Sequence, residues 1–430
     1  MRALLLKGIL WRGIYFISLF ALNLLMSRHY QAAGSGSIFY NLTLLAWLTL
    51  ALSFCLEFGM NYYLASGKIS APALNGFALI WTFGASIISY FVLKLFDIKI
   101  NLDGFNLPFV NYSVIYIAGN LLISYYSAFF YALKKFIAPN LIPVISNMIL
   151  IYIIPKHLTE NPLRDHFIHL YYISFLVQGL ALFVIFIVKG LSGFKIKLPS
   201  GSDVKILLKI SIWAFFTNGL TMVLYRLDYW FVNHYCSPEN LGNYIQASKI
   251  GQIFLVIPAI VSTTTFPIIA SGMLKTPVNN IQSLTRSLLL FSSIPAIILI
   301  FTGRWLFPYM LGSSFEFMYT PFVLLIPGLL AFSVICPITA YFGGRKILHV
   351  NFISNIIAVF IVAGLDFLTI PRFGIIAAAI VSSLGYLTYA GCLIWFFNRF
   401  HSIRLVNFFA VRSSDFNWIR KLFEKADKKL

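Results

Sequence analysis

Apolar residues along this chain fall into about a dozen long runs separated by short polar segments, and a helix needs roughly 20 predominantly apolar residues to cross a bilayer. On that measure helices begin near Gly8, Ile38, Leu74, Val110, Ala138, Leu170, Leu207, Tyr244, Leu284, Tyr319, His349 and Gly374. The fifth run is short and holds Pro143, and the seventh runs into the charged segment Tyr225-Arg226-Leu227-Asp228. The pattern is written twice. Ile145-Ser146-Asn147-Met148-Ile149 recurs as Ile353-Ser354-Asn355-Ile356-Ile357, and Gly36-Ser37-Ile38-Phe39 has a counterpart in Leu241-Gly242-Asn243-Tyr244. Both pairs fall at the same rank among the runs of each half. The sequence therefore predicts an all-α polytopic membrane protein of about 12 transmembrane helices in two pseudo-symmetric six-helix bundles, the parallel-repeat plan of secondary transporters. The expected division is 1–190 for the first bundle, 191–206 for a cytoplasmic linker, 207–398 for the second bundle and 399–430 for a basic cytoplasmic tail.

Composition agrees with this plan. Hydrophobic residues make up 60% of the 430 and charged residues 10%, with a mean hydropathy of +0.85, far from the quarter charged typical of soluble domains. The net charge of +19 lies mostly in loops and tail, which points to topology and anionic lipid rather than to nucleic acid. With the N-terminus inside, the cytoplasmic loops hold Lys68, Lys134, Lys135, Lys189, Lys195, Lys197, Lys205, Lys275, Arg345 and Lys346; the opposite loops hold fewer cations. Both termini are thus expected in the cytoplasm, with the first apolar run a transmembrane helix, since Arg12 interrupts it and it is long for a signal peptide. In the tail, Phe416, Ile419 and Phe423 among basic residues suit a helix lying on an anionic leaflet; a topology signal alone is the alternative. The four cysteines have no metal-ligand spacing, and no metal, cofactor or Walker motif is expected.

Polar residues inside the runs are the functional candidates, because charge in hydrocarbon is costly. Arg12 shares a face with Tyr15 and Asn23 on the first helix, and Tyr116, Asn120, Ser124, Ser127 and Tyr131 form a stripe on the fourth. Thr217, Thr221, Tyr225 and Asp228 line the seventh beside Arg226, Gln246, Lys249 and Gln252 mark the eighth, and Asn351, Asn355 and Asp366 mark the eleventh. Interhelical hydrogen bonding is the other reading of each stripe, and the favoured one for its Ser, Thr and Asn positions. Arg286 is expected to snorkel to a helix end, Glu57 to pair with Lys68, and Lys249 with Asp228 is open to a structural ion pair. The functional reading is a polar cavity between the halves. Arg12, Asn120, Tyr225, Arg226 and Lys249 contact substrate there, and Asp228 and Asp366 are candidates for coupling.

Leu224-Tyr225-Arg226-Leu227-Asp228, followed by Leu241 to Lys249 and then Pro267, resembles the seventh and eighth helices of Wzx-type polysaccharide flippases, which belong to the MOP superfamily with the MATE exporters and lipid II flippases. Arg28 with Gly36-Ser37-Ile38-Phe39, Leu56-Glu57-Phe58-Gly59, and Ile370-Pro371-Arg372-Phe373-Gly374 through Ala379 are similar to three further stretches of that family, in the same order. The resemblance implies a MATE-like, V-shaped fold in a bacterial inner membrane. It implies movement of an undecaprenyl-diphosphate-linked glycan from the cytoplasmic to the periplasmic leaflet by alternating access, in surface polysaccharide synthesis such as that of O-antigen, capsule or exopolysaccharide. The partners implied are that glycan lipid, membrane lipids, and the polymerase and chain-length proteins of the same pathway, with no nucleic acid. Two alternatives stand beside it. A MATE-type cation antiporter would need acidic residues deep in the cavity. A polytopic polymerase or ligase would bring a large periplasmic loop.

Overall fold

In the computed structural model the residues described are 2–95, 109–157, 161–189, 197–270, 277–401 and 408, and they are helices and the turns between them. In chain order these are α1 (Arg2–Ser53), α2 (Leu56–Ala65), α3 (Ala71–Leu95), α4 (Phe109–Ala132), α5 (Ala138–His157), α6 (Asn161–Val188), α7 (Gly201–Tyr235), α8 (Pro238–Ala270), α9 (Pro277–Leu311), a 3₁₀ turn (Ser313–Met318), α10 (Tyr319–Gly344) and α11 (Leu348–His401). Among the described residues, nine helices are long and apolar enough to cross a membrane, and α5 adds a shorter apolar segment, Ala138–Ile154. The chain is a multi-pass membrane protein. The amphipathic tail around Phe416 and the linker residues 190–196 lie outside the described residues.

Two helices are too long for one crossing. At 1.5 Å per residue, the 52 residues of α1 and the 54 of α11 would each extend about 80 Å, over twice the ~30 Å hydrocarbon core. Each is broken by a kink at one residue with positive φ, Gln31 (φ 59°) in α1 and Gly374 (φ 59°) in α11. The second apolar run is further divided: Phe54 and Cys55, both at φ 50°, separate α1 from α2. At the start of α7, Ser200 N–H donates to Asp203 (3.2 Å) and Asp203 N–H to the Ser200 hydroxyl (3.2 Å), a reciprocal cap. That cap starts the helix at Gly201, ahead of the Leu207 where apolar periodicity begins.

The chain forms two compact units, Met1–Gly219 and Leu220–Leu430. In the first, α4 packs on α6, α3 and α2, and α5 packs on α1 and α6. The α4–α6 crossing is set by glycine: a Cβ on Gly119 would lie 2.4 Å from the backbone of Phe175 and Leu176. In the second, α10 is central, packing on α8, α9 and α11. Its Gly328 lies against Ser383, whose Cα would be 2.6 Å from an added Cβ.

The sequence repeat makes the same contact in each unit. Asn147 on α5 donates to the Ser18 hydroxyl on α1 (3.0 Å), and Asn355 on α11 donates to the Thr221 hydroxyl on α7 (3.2 Å). The basic turns also match. Lys134 (φ 58°) and Lys346 (φ 62°) each sit at the left-handed position of a helix-ending motif. In it the following N–H returns to a carbonyl five residues back, Lys135 to Phe130 and Ile347 to Phe342, both at 2.8 Å.

Candidate functional site

In the first unit, Arg12 on α1 is exposed. Its guanidinium lies 5.8 Å from the Phe16 ring centre and acts electrostatically on Tyr131 of α4 and on Tyr15. The predicted stripes of the first and fourth helices therefore face each other. Asn120 is half-buried, and its amide donates to the Tyr116 carbonyl one turn back (2.9 Å), which ties it to α4 itself.

The other predicted residues belong to the second unit. Arg226 on α7 is half-buried, its guanidinium donating to Tyr229 Oη (2.8 Å) and to Gln252 Oε1 on α8 (3.2 Å). Lys249 on α8 lies within the electrostatic reach of Arg226, so two basic side chains from α7 and α8 share one region. Spacing on each helix alone does not reveal this, since the residues are distant in sequence. Tyr225 sits in an aromatic triangle with Phe332 (5.4 Å) and Tyr386 (5.7 Å), themselves 5.0 Å apart.

Asp228 is 3% exposed and well provided with donors. It accepts from the Tyr244 hydroxyl, from the Ser382 hydroxyl (2.8 Å) and from the Tyr229 amide (2.9 Å). Tyr244 and Ser382 were not identified as its partners from sequence; the only signal was their polarity on otherwise apolar helices. Asp366 on α11 is fully buried, and neither of its carboxylate oxygens has a hydrogen-bond partner among the described residues. The charge of Asp228 acts on it, so the two acids share one region. The arrangement offers two neighbouring basic side chains that an anion would complement and, separately, a buried acid pair able to exchange a proton.

Two expectations are corrected. Arg286 does not snorkel: it is 4% exposed, on a face of α9 where Gln282 and Thr285 are also buried. Glu57 is not satisfied by Lys68: its Oε2 is buried without a hydrogen-bond partner among the described residues, because α2 turns that oxygen inward.

No protein-family model matches this chain, and no curated protein does. Solved structures do. The lipid II flippase MurJ in an inward closed conformation is 19% identical, with a TM-score of 0.68 over 93% of this chain and 89% of that one. A multidrug resistance MATE family transporter of the MOP superfamily, inward-facing, is 12% identical, with a TM-score of 0.71 over 92% and 98%. A MOP superfamily transporter from Pyrococcus furiosus, described by the reverse polarity of its binding pocket, is 13% identical, with a TM-score of 0.60 over 93% and 94%. At these identities the likeness carries the fold alone, and the fold of this chain is that of the MOP superfamily transporters.

Proposed function

We propose that this protein is a flippase that carries an undecaprenyl-diphosphate-linked oligosaccharide from the cytoplasmic to the periplasmic leaflet by alternating access. The observation that carries the reading is the pairing of Arg226 with Lys249 across α7 and α8. A diphosphate beside Arg226 and Lys249 would supply the counter-charge that two neighbouring buried basic groups lack, and their positive charge would in turn offset the cost of taking it through a low-dielectric region. Arg12 and Asn120 in the first unit and Tyr225 in the second are further proposed contacts. The likeness in fold to a lipid II flippase supports a lipid-linked substrate. The proposal includes twelve crossings, both termini in the cytoplasm of a bacterial inner membrane, and no catalytic chemistry. With the cytoplasm negative, outward passage of an anion gains about 2.3 kcal/mol per charge per 100 mV, so the membrane potential drives export of a diphosphate. Asp228 and Asp366 are proposed to couple a proton to the cycle.

One observation favours a second reading. The buried acid pair Asp228–Asp366 is the kind of group a cation antiporter of the MATE type needs. The deciding experiment is the sidedness of lipid-linked oligosaccharide in cells lacking the protein. Complete, unpolymerised repeat held on the cytoplasmic leaflet is the expected result. The same repeat on the periplasmic leaflet would mean a polymerase or ligase. No accumulation, with raised sensitivity to cationic dyes, would mean the antiporter. Arg12→Ala and Lys249→Ala are each expected to reduce export at wild-type expression; normal export from both would remove them from the path.

A further inference from the structure

The second apolar run is not one helix. Phe54 and Cys55 both take left-handed backbone angles, which L-residues with a Cβ adopt only at a cost. The ladder stops there, and freed carbonyls are met from neighbouring helices. Trp81 Nε1 of α3 donates to Leu52 O (2.8 Å), and Tyr125 Oη of α4 points to Ser53 O (3.4 Å). The break is also held from α7. Phe215 stacks on Phe54 with centroids 4.7 Å apart and rings 6° from parallel, and Asn218 donates to Cys55 Sγ (3.4 Å). One turn on, an added Cβ at Gly59 would lie 2.9 Å from both Ile210 and the Ser211 hydroxyl, so α2 and α7 touch closely.

Glu57 stands at the first turn of α2, directly after this break. Its Oε2 is buried with no hydrogen-bond partner among the described residues, although an ionised carboxylate oxygen is a strong acceptor. The carboxyl group as a whole is acted on by its own backbone N–H, by the Cys55 thiol and, electrostatically, by the Tyr125 phenol of α4; the last two are the titratable groups near it. The residues of α7 against α2 at Gly59 are Leu207, Ile210 and Ser211, and α3 offers the Trp81 indole; none of these carries charge. A charge placed here has no counter-charge, whereas a neutral carboxylic acid fits.

We propose that Glu57 is a proton-binding site separate from the Asp228–Asp366 pair, and that its protonation state decides whether the break between α1 and α2 stays closed against α7. Neutral Glu57 holds the packing described. Its ionisation draws the carboxylate toward water. The first turn of α2 follows, at a point where the backbone is already out of helical register. The Phe54–Phe215 and Cys55–Asn218 contacts then part. The inference is independent of the substrate, since it concerns packing inside the first unit.

Cys55 is a built-in reporter, being fully buried in the closed break. The full-length protein is prepared with Cys236, Cys336 and Cys392 replaced by serine, in proteoliposomes. Alkylation of Cys55 by a small maleimide is timed from pH 5 to pH 8. Each rate is divided by that of the same protein unfolded in SDS, which removes the thiol's own ionisation. The expected result is a ratio that rises at least tenfold across this range in the parent and stays low and flat in Glu57→Gln, an isosteric change. A flat ratio in the parent, or the same rise in Glu57→Gln, would overturn the proposal. Asp228→Asn and Asp366→Asn should leave the rise in place; its loss in either would assign the switch to that pair instead and overturn it equally.

Discussion

Asp228 and Asp366 are acids in one region of one unit, yet their surroundings differ in kind. Asp228 collects two hydroxyls and an amide, and such charge-assisted bonds make it part of the packing of α7, α8 and α11. Asp366 collects none among the described residues. Asp228→Asn is therefore expected to lower stability by about 1–3 kcal/mol, while Asp366→Asn leaves it unchanged or raises it. Thermal melts in detergent check this, and equal losses would mean that Asp366 has a structural partner. If the pair couples a proton, Asp366→Asn abolishes the pH dependence of export while the fold survives. At this scale the sequence was only partly legible. Charged residues in apolar runs are conspicuous, so Asp228, Asp366, Arg226 and Lys249 stand out unaided. Whether Arg286 reaches the helix end or stays inside depends on which face of α9 is covered, and that is decided by α8 and α10, whose residues lie tens of positions away in the chain.

Helix positions were the most legible level, because twenty apolar residues leave the backbone no alternative in lipid but to satisfy itself. Helix interruptions were legible only in part. The break at Gln31 falls between the first two apolar runs, shortly before Gly34 and Gly36, and Pro371 and Gly374 mark the second kink, but Phe54 and Cys55 carry no such glycine or proline signal. Such positions answer to packing: the aromatic stack of Phe54 and the capping indole of Trp81 hold a turn that local preference opposes. Two measurements belong here. Lys134→Gly and Lys346→Gly each remove a left-handed penalty at a helix end and should raise stability by about 1 kcal/mol; a loss would mean that the lysine side chain, not the backbone, holds the turn. Gly119→Ala should cost about 1–3 kcal/mol, since the added methyl meets the α6 backbone, which cannot rotate away. An alanine protein that melts with the parent would show that α4 and α6 separate without penalty.

Over the whole molecule, the repeat read from a five-residue match is carried by a shared contact, an asparagine on a later helix donating to a hydroxyl on the first helix of its half. Asn147→Ala and Asn355→Ala should each cost about 1 kcal/mol. Sharing no partner, they should add within ~0.5 kcal/mol when combined, as chemical denaturation of the double mutant would register. What sequence alone did not disclose is where packing divides the chain. The sequence pattern places the start of the second repeat at Leu207, in α7, whereas the compact units part at Gly219 and Leu220, in the interior of that helix. The first half of a repeat's opening helix is thus lodged with its neighbour. Transporters of two repeats can in principle be encoded as two half-length polypeptides, and a gene split is safest where contacts are fewest. Here that place is forbidden. Cutting at Gly219 would create two raw helix ends, each with four backbone groups lacking partners, at several kcal/mol apiece in hydrocarbon. A viable fission must fall upstream of Gly201 and leave the second fragment to thread its leading turns into the first, so assembly of the halves would be an act of insertion rather than of docking.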